Sequence, residues 1–447
     1  MPAESTTRIA SQQAGDAKLV RVLGVPSLAA NIVNTTIGAS IFVLPGTMAK
    51  MLGGAAPLAF LVCAVAQAIF VTCFAMAGSR VSLTGGLYAY VEVAFGRYVG
   101  FLAGLMNFTT AILGVSAVMN VLVDAAAALS PLLAGGVSRF LMMLVILAAL
   151  AAMNVRSVRA GAGAVSLVTL IKVLPLVVFV AVGIFFIKPG ALTLVAPAHN
   201  QSLGNSVLLL MFAFFGIESS LTPSGEVRNP ARTVPRAIYL ALGLTTVIYL
   251  LIQLVAQGTL GVPRLAANTA APLAESASVF LGHFGRLLLL VGATVSSFGY
   301  VASDILNSPR TLFAFGRDGI LPRSFAHVHR RFHSPDVAIV FYAAIALTLS
   351  LISTFEGLAV MANVAALLLY LLCSAAAWQL RRRDVRTDGK PFHVPGAPVF
   401  IVMAIALIVW MLAHATMKEV KVLGIVLAVG SALYFVRTLT AKKAPAA

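Results

Sequence analysis

Strongly apolar runs, each about as long as a bilayer is thick, recur along almost the whole chain and decide what it can become. A membrane-crossing helix takes about 20 predominantly apolar residues. Such runs fall near 22–45, 56–79, 97–127, 139–154, 162–187, 205–222, 233–257, 285–315, 336–354, 358–380, 397–414 and 420–437. Each is continuously apolar, whereas the strands of a membrane barrel alternate with period two. The expected fold class is therefore all-α, a polytopic membrane protein with about 12 transmembrane helices. Composition agrees, since 10% of the 447 residues are charged and 60% hydrophobic, against about 25% charged in a soluble domain. A soluble fold of this size could not hide so much apolar surface behind a polar shell.

The polar start, Met1 to Lys18, lacks the apolar centre of a secretory signal and reads as a soluble tail. A formal charge of +17 would suit a polyanionic partner. Most Lys and Arg, however, occupy short loops between spans, so no nucleic-acid partner is expected. With the N-terminus inside, inner segments hold 23 of them, outer segments hold seven, and Lys172 alone falls mid-span. By the positive-inside rule this gives an even number of crossings in the plasma membrane with both termini cytoplasmic. The basic loops from Arg317 to Arg331 and from Arg381 to Lys390 then face cytoplasm and lipid headgroups. Cys63, Cys73 and Cys373 lie in apolar runs at no metal-ligand spacing and read as small packing residues. His327, His329 and His333 fix no recognised geometry, so neither a metal nor a cofactor is expected. No span pairs a nucleophile with a His base, which argues against an enzyme.

Glycine placement hints at repetition. The first span is interrupted at Gly38 and the sixth at Gly216, five helices apart, and interrupted spans in corresponding positions point to an inverted-repeat transporter. Gly96, Gly100 and Gly104 form two GxxxG steps that read as close helix packing. Lys172, Glu218 and Asp304 fall well inside spans, where a central charge costs roughly 2.5–3.5 kcal/mol. Function is the default reading for each. Alternatively, Lys172 pairs with an acid to fix helix packing, and Glu218 caps broken backbone.

A break in a membrane helix exposes N–H groups on one half and C=O groups on the other, and lipid can satisfy neither. A zwitterion supplies both partners: its carboxylate suits the positive half-helix N-terminus and its ammonium the negative C-terminal end. Gly38, Ala39 and Ser40 in the first span and Gly216 in the sixth are small enough to let it approach.

At these residues the sequence resembles the amino acid-polyamine-organocation family of permeases, from roughly Val25 to Ile339. Ile37-Gly38-Ala39-Ser40-Ile41-Phe42 resembles its first-helix signature, with Ser40 where glycine is common. Gly85-Gly86-Leu87-Tyr88-Ala89-Tyr90 with Ala94-Phe95-Gly96, and Phe212-Ala213-Phe214-Phe215-Gly216-Ile217-Glu218, resemble its third-helix entry and sixth helix. Glu226-Val227-Arg228-Asn229-Pro230, Val234-Pro235-Arg236-Ala237-Ile238 and Gly316-Arg317-Asp318-Gly319-Ile320-Leu321-Pro322-Arg323 follow in order.

The resemblance implies a LeuT-like 5+5 inverted repeat with discontinuous first and sixth helices. Its parts would be a tail (1–21), two five-helix repeats (22–187 and 205–380), a peripheral pair (397–437) and a C-terminal tail (438–447). It also implies a substrate site. Thr36, Gly38, Ala39 and Ser40 would hold the substrate carboxylate; Phe212, Phe215, Gly216 and Ile217 would line it from the sixth helix; Thr110, Ala111 and Val115 would face the side chain. Lys172 would stand where related transporters hold sodium, making transport sodium-independent. It would either change protonation between states, coupling protons, or remain a fixed cation in an exchanger. The expected function is secondary active amino acid transport, by proton symport or exchange. A polyamine carrier of the same fold and a non-transporting amino acid receptor are the alternatives. An Asp304 facing the pocket would favour a cationic substrate, and an Asp304 facing Lys172 a neutral one.

Overall fold

The computed structural model describes residues 24–81, 86–133, 135–156, 161–192, 203–221, 227–317, 319–332, 334–386 and 391–441; His333 and Asp318 lie outside them. Among the described residues the regular elements are all helical, with no strand. In chain order the helices are α1 (Val25–Thr36), α2 (Leu44–Leu52), α3 (Ala56–Gly78), α4 (Leu87–Phe95), α5 (Arg97–Leu129) and α6 (Gly136–Arg156). Then come α7 (Gly161–Gly183), α8 (Leu203–Leu210), α9 (Ile217–Ser220), α10 (Pro230–Leu260), α11 (Val262–Ala267) and α12 (Pro272–Asn307). The last are α13 (Pro309–Arg317), α14 (Asp336–Ile352), α15 (Phe355–Arg382), α16 (Ala397–Leu412) and α17 (Met417–Ala441).

Proline marks many of the starts. It occupies the first turn of α1, α2, α3, α10, α12 and α16, where its missing N–H would have had no helical acceptor. This corrects two expected boundaries. The first span does not stop near residue 45, because Pro45 opens α2 and carries the span on to Leu52. The eighth begins earlier, at Pro272, kinks at Gly282 (φ 60°) and ends at Asn307; Pro309 starts the separate α13. The twelfth runs to Ala441, so helix continues past the expected start of the tail at 438.

Seven described helical stretches are long and apolar enough to cross a membrane, and four shorter apolar ones accompany them. Their exposed positions reverse the soluble pattern. Val65, Val145, Phe185 and Val402 are all largely exposed, as expected where lipid is the solvent. Inside, α5 packs on α12 and α15, α12 on α7, and α14 on α5 and α6, while α10 packs on α1 and α3. Small residues set these distances. A Cβ on Gly100 would lie 2.8 Å from Cβ of Glu92, and one on Gly104 3.3 Å from the Phe315 ring. Gly96 departs from the expected packing role. With φ at +89° and nothing near its Cβ position, it is the corner between α4 and α5, a conformation glycine adopts without strain.

All three cysteines are buried, which leaves a clean background for topology mapping. Leu132→Cys, after the third span, should react with an impermeant thiol reagent added outside intact cells. Ser324→Cys, after the eighth, should react only in inverted vesicles. Labelling of both from one side would contradict the charge-based orientation.

Candidate functional site

Ile37-Gly38-Ala39 and Phe215-Gly216 interrupt two helical rods, and the structure brings the interruptions together. After α1 the chain leaves helical geometry at Ile37 (φ −72°, ψ 87°) and resumes as a short 3-10 turn, Ser40–Phe42, before α2. The sixth span runs through α8 and a 3-10 turn, Met211–Phe214, then becomes extended at Phe215 (ψ 155°) and reaches α9 through Gly216. Gly216 has φ +112°, and a Cβ there would lie 2.6 Å from the Thr35 carbonyl oxygen and 2.9 Å from the Thr36 nitrogen. Only glycine meets both conditions.

Broken helices in a membrane must find partners for their orphaned backbone groups, and here most are found within the protein. Lys172 Nζ donates to the Asn34 carbonyl in the last turn of α1, where a cation complements the helix dipole. The Tyr249 hydroxyl of α10 lies 2.8 Å from the Thr36 carbonyl oxygen and 2.9 Å from that of Ala213, touching both breaks at once. Thr35 Oγ1 donates to the Gly216 carbonyl at 3.2 Å. On α15, Asn363 Nδ2 donates to the carbonyls of Leu208 and Leu209. Glu218 accepts from the Gly216 N–H at 3.1 Å and from the Tyr370 hydroxyl at 3.0 Å. A run of open donors sits in the first break. Among the described residues, the N–H groups of Gly38, Ala39 and Ser40 have no recorded acceptor, and the buried Thr36 Oγ1 beside them has no partner.

The other expected site residues divide. Phe212 is buried, with its ring centroid 5.6 Å from that of Phe215 and 5.7 Å from that of Phe355. Gly38, Phe215 and Gly216 are half-buried, as are Thr110 and Ala111, whereas Ala39, Ser40, Val115 and Ile217 are buried. The Thr110 hydroxyl donates back to the Met106 carbonyl at 2.9 Å. The third span approaches the sixth at Gly114, whose Cβ position is 3.9 Å from the Phe212 ring and 3.0 Å from the Tyr300 hydroxyl.

The three intramembrane charges do not meet one another. Among the described residues Lys172 forms no ion pair with Glu218 or Asp304. Asp304 instead accepts from Tyr342 of α14 and from Ser308 at 2.8 Å, facing neither Lys172 nor the breaks with a free oxygen. Sequence reasoning missed Asn34, Tyr249, Asn363 and Tyr370, which hold the breaks open. The signal was present for Asn363, a fully buried amide in an otherwise apolar helix. Tyr249 carried none, because a tyrosine in such a helix reads equally well as packing.

Along nearly its whole length the chain is similar to known transport proteins. A family profile described as amino acid permease matches residues 23–434. An uncharacterized transporter of Mycobacterium tuberculosis is 31% identical over 96% of the chain and 93% of its own length. The methylthioribose transporter of Bacillus subtilis is 27% identical over 95% of each chain. The serine/threonine exchanger SteT of the same organism is 26% identical over 90% of this chain and 92% of its own.

Tyr249→Phe strips the donor from two buried carbonyls and should lower unfolding stability in detergent by about 1–3 kcal/mol. Gly216→Ala, which drives a methyl into the Thr35 carbonyl, should abolish ligand-dependent stabilisation altogether. Both are read by thermal or chemical unfolding with and without amino acids.

Proposed function

The chain belongs to the amino acid permease family, and from that premise we propose that it is a sodium-independent secondary transporter of neutral amino acids working by alternating access. The carrying observation is the cluster of open backbone donors at Gly38, Ala39 and Ser40 beside the Thr36 hydroxyl. Such a cluster binds a carboxylate without needing a cationic side chain. Nearby, the small and aromatic surfaces of Ala111, Phe212, Phe215 and Gly216 offer an apolar wall for a substrate side chain.

A neutral cargo follows from where the charges are used. Asp304 is oriented by Tyr342 and Ser308, and Glu218 by Gly216 and Tyr370, so both carboxylates are already turned to protein donors, which favours a neutral side chain over a cationic one. This sets the polyamine reading second. Lys172 caps α1 from α7, tying a broken helix to its neighbour. A lysine placed there links its protonation to the position of α1, because only the ammonium holds the carbonyl strongly. The reading includes twelve crossings, with two five-helix repeats of opposite topology plus a peripheral pair and both termini cytoplasmic. Breaks in the first and sixth spans support that repeat.

Purified protein in liposomes should accumulate one or more labelled neutral amino acids when a proton gradient or internal amino acid is supplied, with or without sodium. No flux across a panel of amino acids, polyamines and methylthioribose would reject transport, and flux of polyamines alone would reject the neutral cargo. Lys172→Ala should reduce gradient-driven uptake at least tenfold, the effect of losing about 1.4 kcal/mol, while ligand-induced thermal stabilisation persists. Unchanged pH-dependent uptake in that variant would refute the coupling role.

A further inference from the structure

A cleft of about 550 Å³ lies between Val43, the ends of α5, α6, α14 and α15 and the loop at Thr269 and Ala270. The charge count places all of these segment ends on the outer face. Its size falls within the roughly 300–1,000 Å³ typical of small-molecule sites. Most of the lining is apolar or neutral, but three charged side chains converge on it: Asp124, Arg139 and Glu356. Arg139 Nη1 bonds Asp124, and Nη2 lies 3.4 Å from Asn120 Oδ1. Asn120 is itself fastened by Nδ2 contacts of 3.3 Å to the Ser350 and Ser353 carbonyls. The guanidinium is thus held in place, with donor capacity left over from its five N–H groups. Glu356, half-buried in the first turn of α15, has no hydrogen-bond or ion-pair partner among the described residues.

We propose that this cleft is a second, vestibular binding site for the zwitterionic backbone of an amino acid, with Arg139 receiving the carboxylate and Glu356 the ammonium. With Asp124 already bonded to Arg139, the spare guanidinium donors and the unpartnered Glu356 carboxylate offer one partner for a carboxylate and one for an ammonium on the same cleft, a pairing that a lone anion or a lone cation can use only by half. The helix dipole accounts for an acid at the start of α15, but not for an anchored arginine across the same space. Phe355, on the cleft wall, stacks edge-on against Phe212 with centroids 5.7 Å apart. This aromatic pair links the cleft wall to the sixth-span segment beside its break. A zwitterion held here would be concentrated at the entrance of the route inward. The inference rests on the amino acid cargo proposed above.

The test uses the full-length chain carrying Ala270→Cys, an exposed position on the cleft lining, against the background of buried native cysteines. A charged methanethiosulfonate reagent reports access, with glycine, methylamine and acetate as probes. Glycine at about four times its Kd should slow modification roughly fivefold by occupancy, while methylamine and acetate, the two halves of the zwitterion, should protect much less. Glu356→Gln and Arg139→Gln should each remove the protection. In Glu356→Gln, the milder change, uptake into liposomes should keep its maximal rate and show a several-fold higher KM. Absence of protection by glycine, or protection that survives in both variants, overturns the vestibular site. Protection without transport of any substrate would reject the transport reading while leaving this site standing.

Discussion

A backbone amide stranded in hydrocarbon costs several kcal/mol, and that penalty organises this protein. Continuous helices pay nothing because each amide is satisfied locally. The first and sixth spans give up that economy where they are interrupted, and the surrounding helices are arranged around the consequences. Lys172 from α7, Tyr249 from α10 and Asn363 from α15 each direct a donor at a carbonyl freed by a break. Three different helices thus commit a polar side chain to the same small region. Their polar atoms would be costly anywhere else in a lipid-soluble fold.

The asymmetry of that repair carries the functional meaning. Several freed carbonyls are answered by protein donors, whereas among the described residues the three consecutive N–H groups of Gly38, Ala39 and Ser40 are not. In the proposed reading, the ligand brings the acceptor that these three groups lack. Gly216, pressed against Thr35 and Thr36, keeps the sixth span close enough for one ligand to touch both rods.

Much of this was legible in the sequence, for physical reasons that differ by element. The helical type of the spans followed from hydropathy, because lipid imposes one solution on a long apolar run. Both interruptions were visible as glycine-bearing motifs. The error at Pro45 came from treating proline as a stop when its place in the first turn made it a start. Gly96 looked like a packing contact because spacing cannot distinguish a helix face from a corner with positive φ. The partners of Lys172 and Asp304 could not be read at all. Both charges chose neutral partners, a backbone carbonyl and two hydroxyls, and neutral partners leave no pattern of opposite charge along the chain.

The Tyr249 hydroxyl holds one proton yet stands within bonding reach of two carbonyls, one on each interrupted rod. At any instant it can fully serve only one of them. The joint is therefore never completely saturated, and the loss on loosening either rod is partly refunded by the other. Such a shared pin lets two rigid pieces shift past each other without ever stranding both of their ends together.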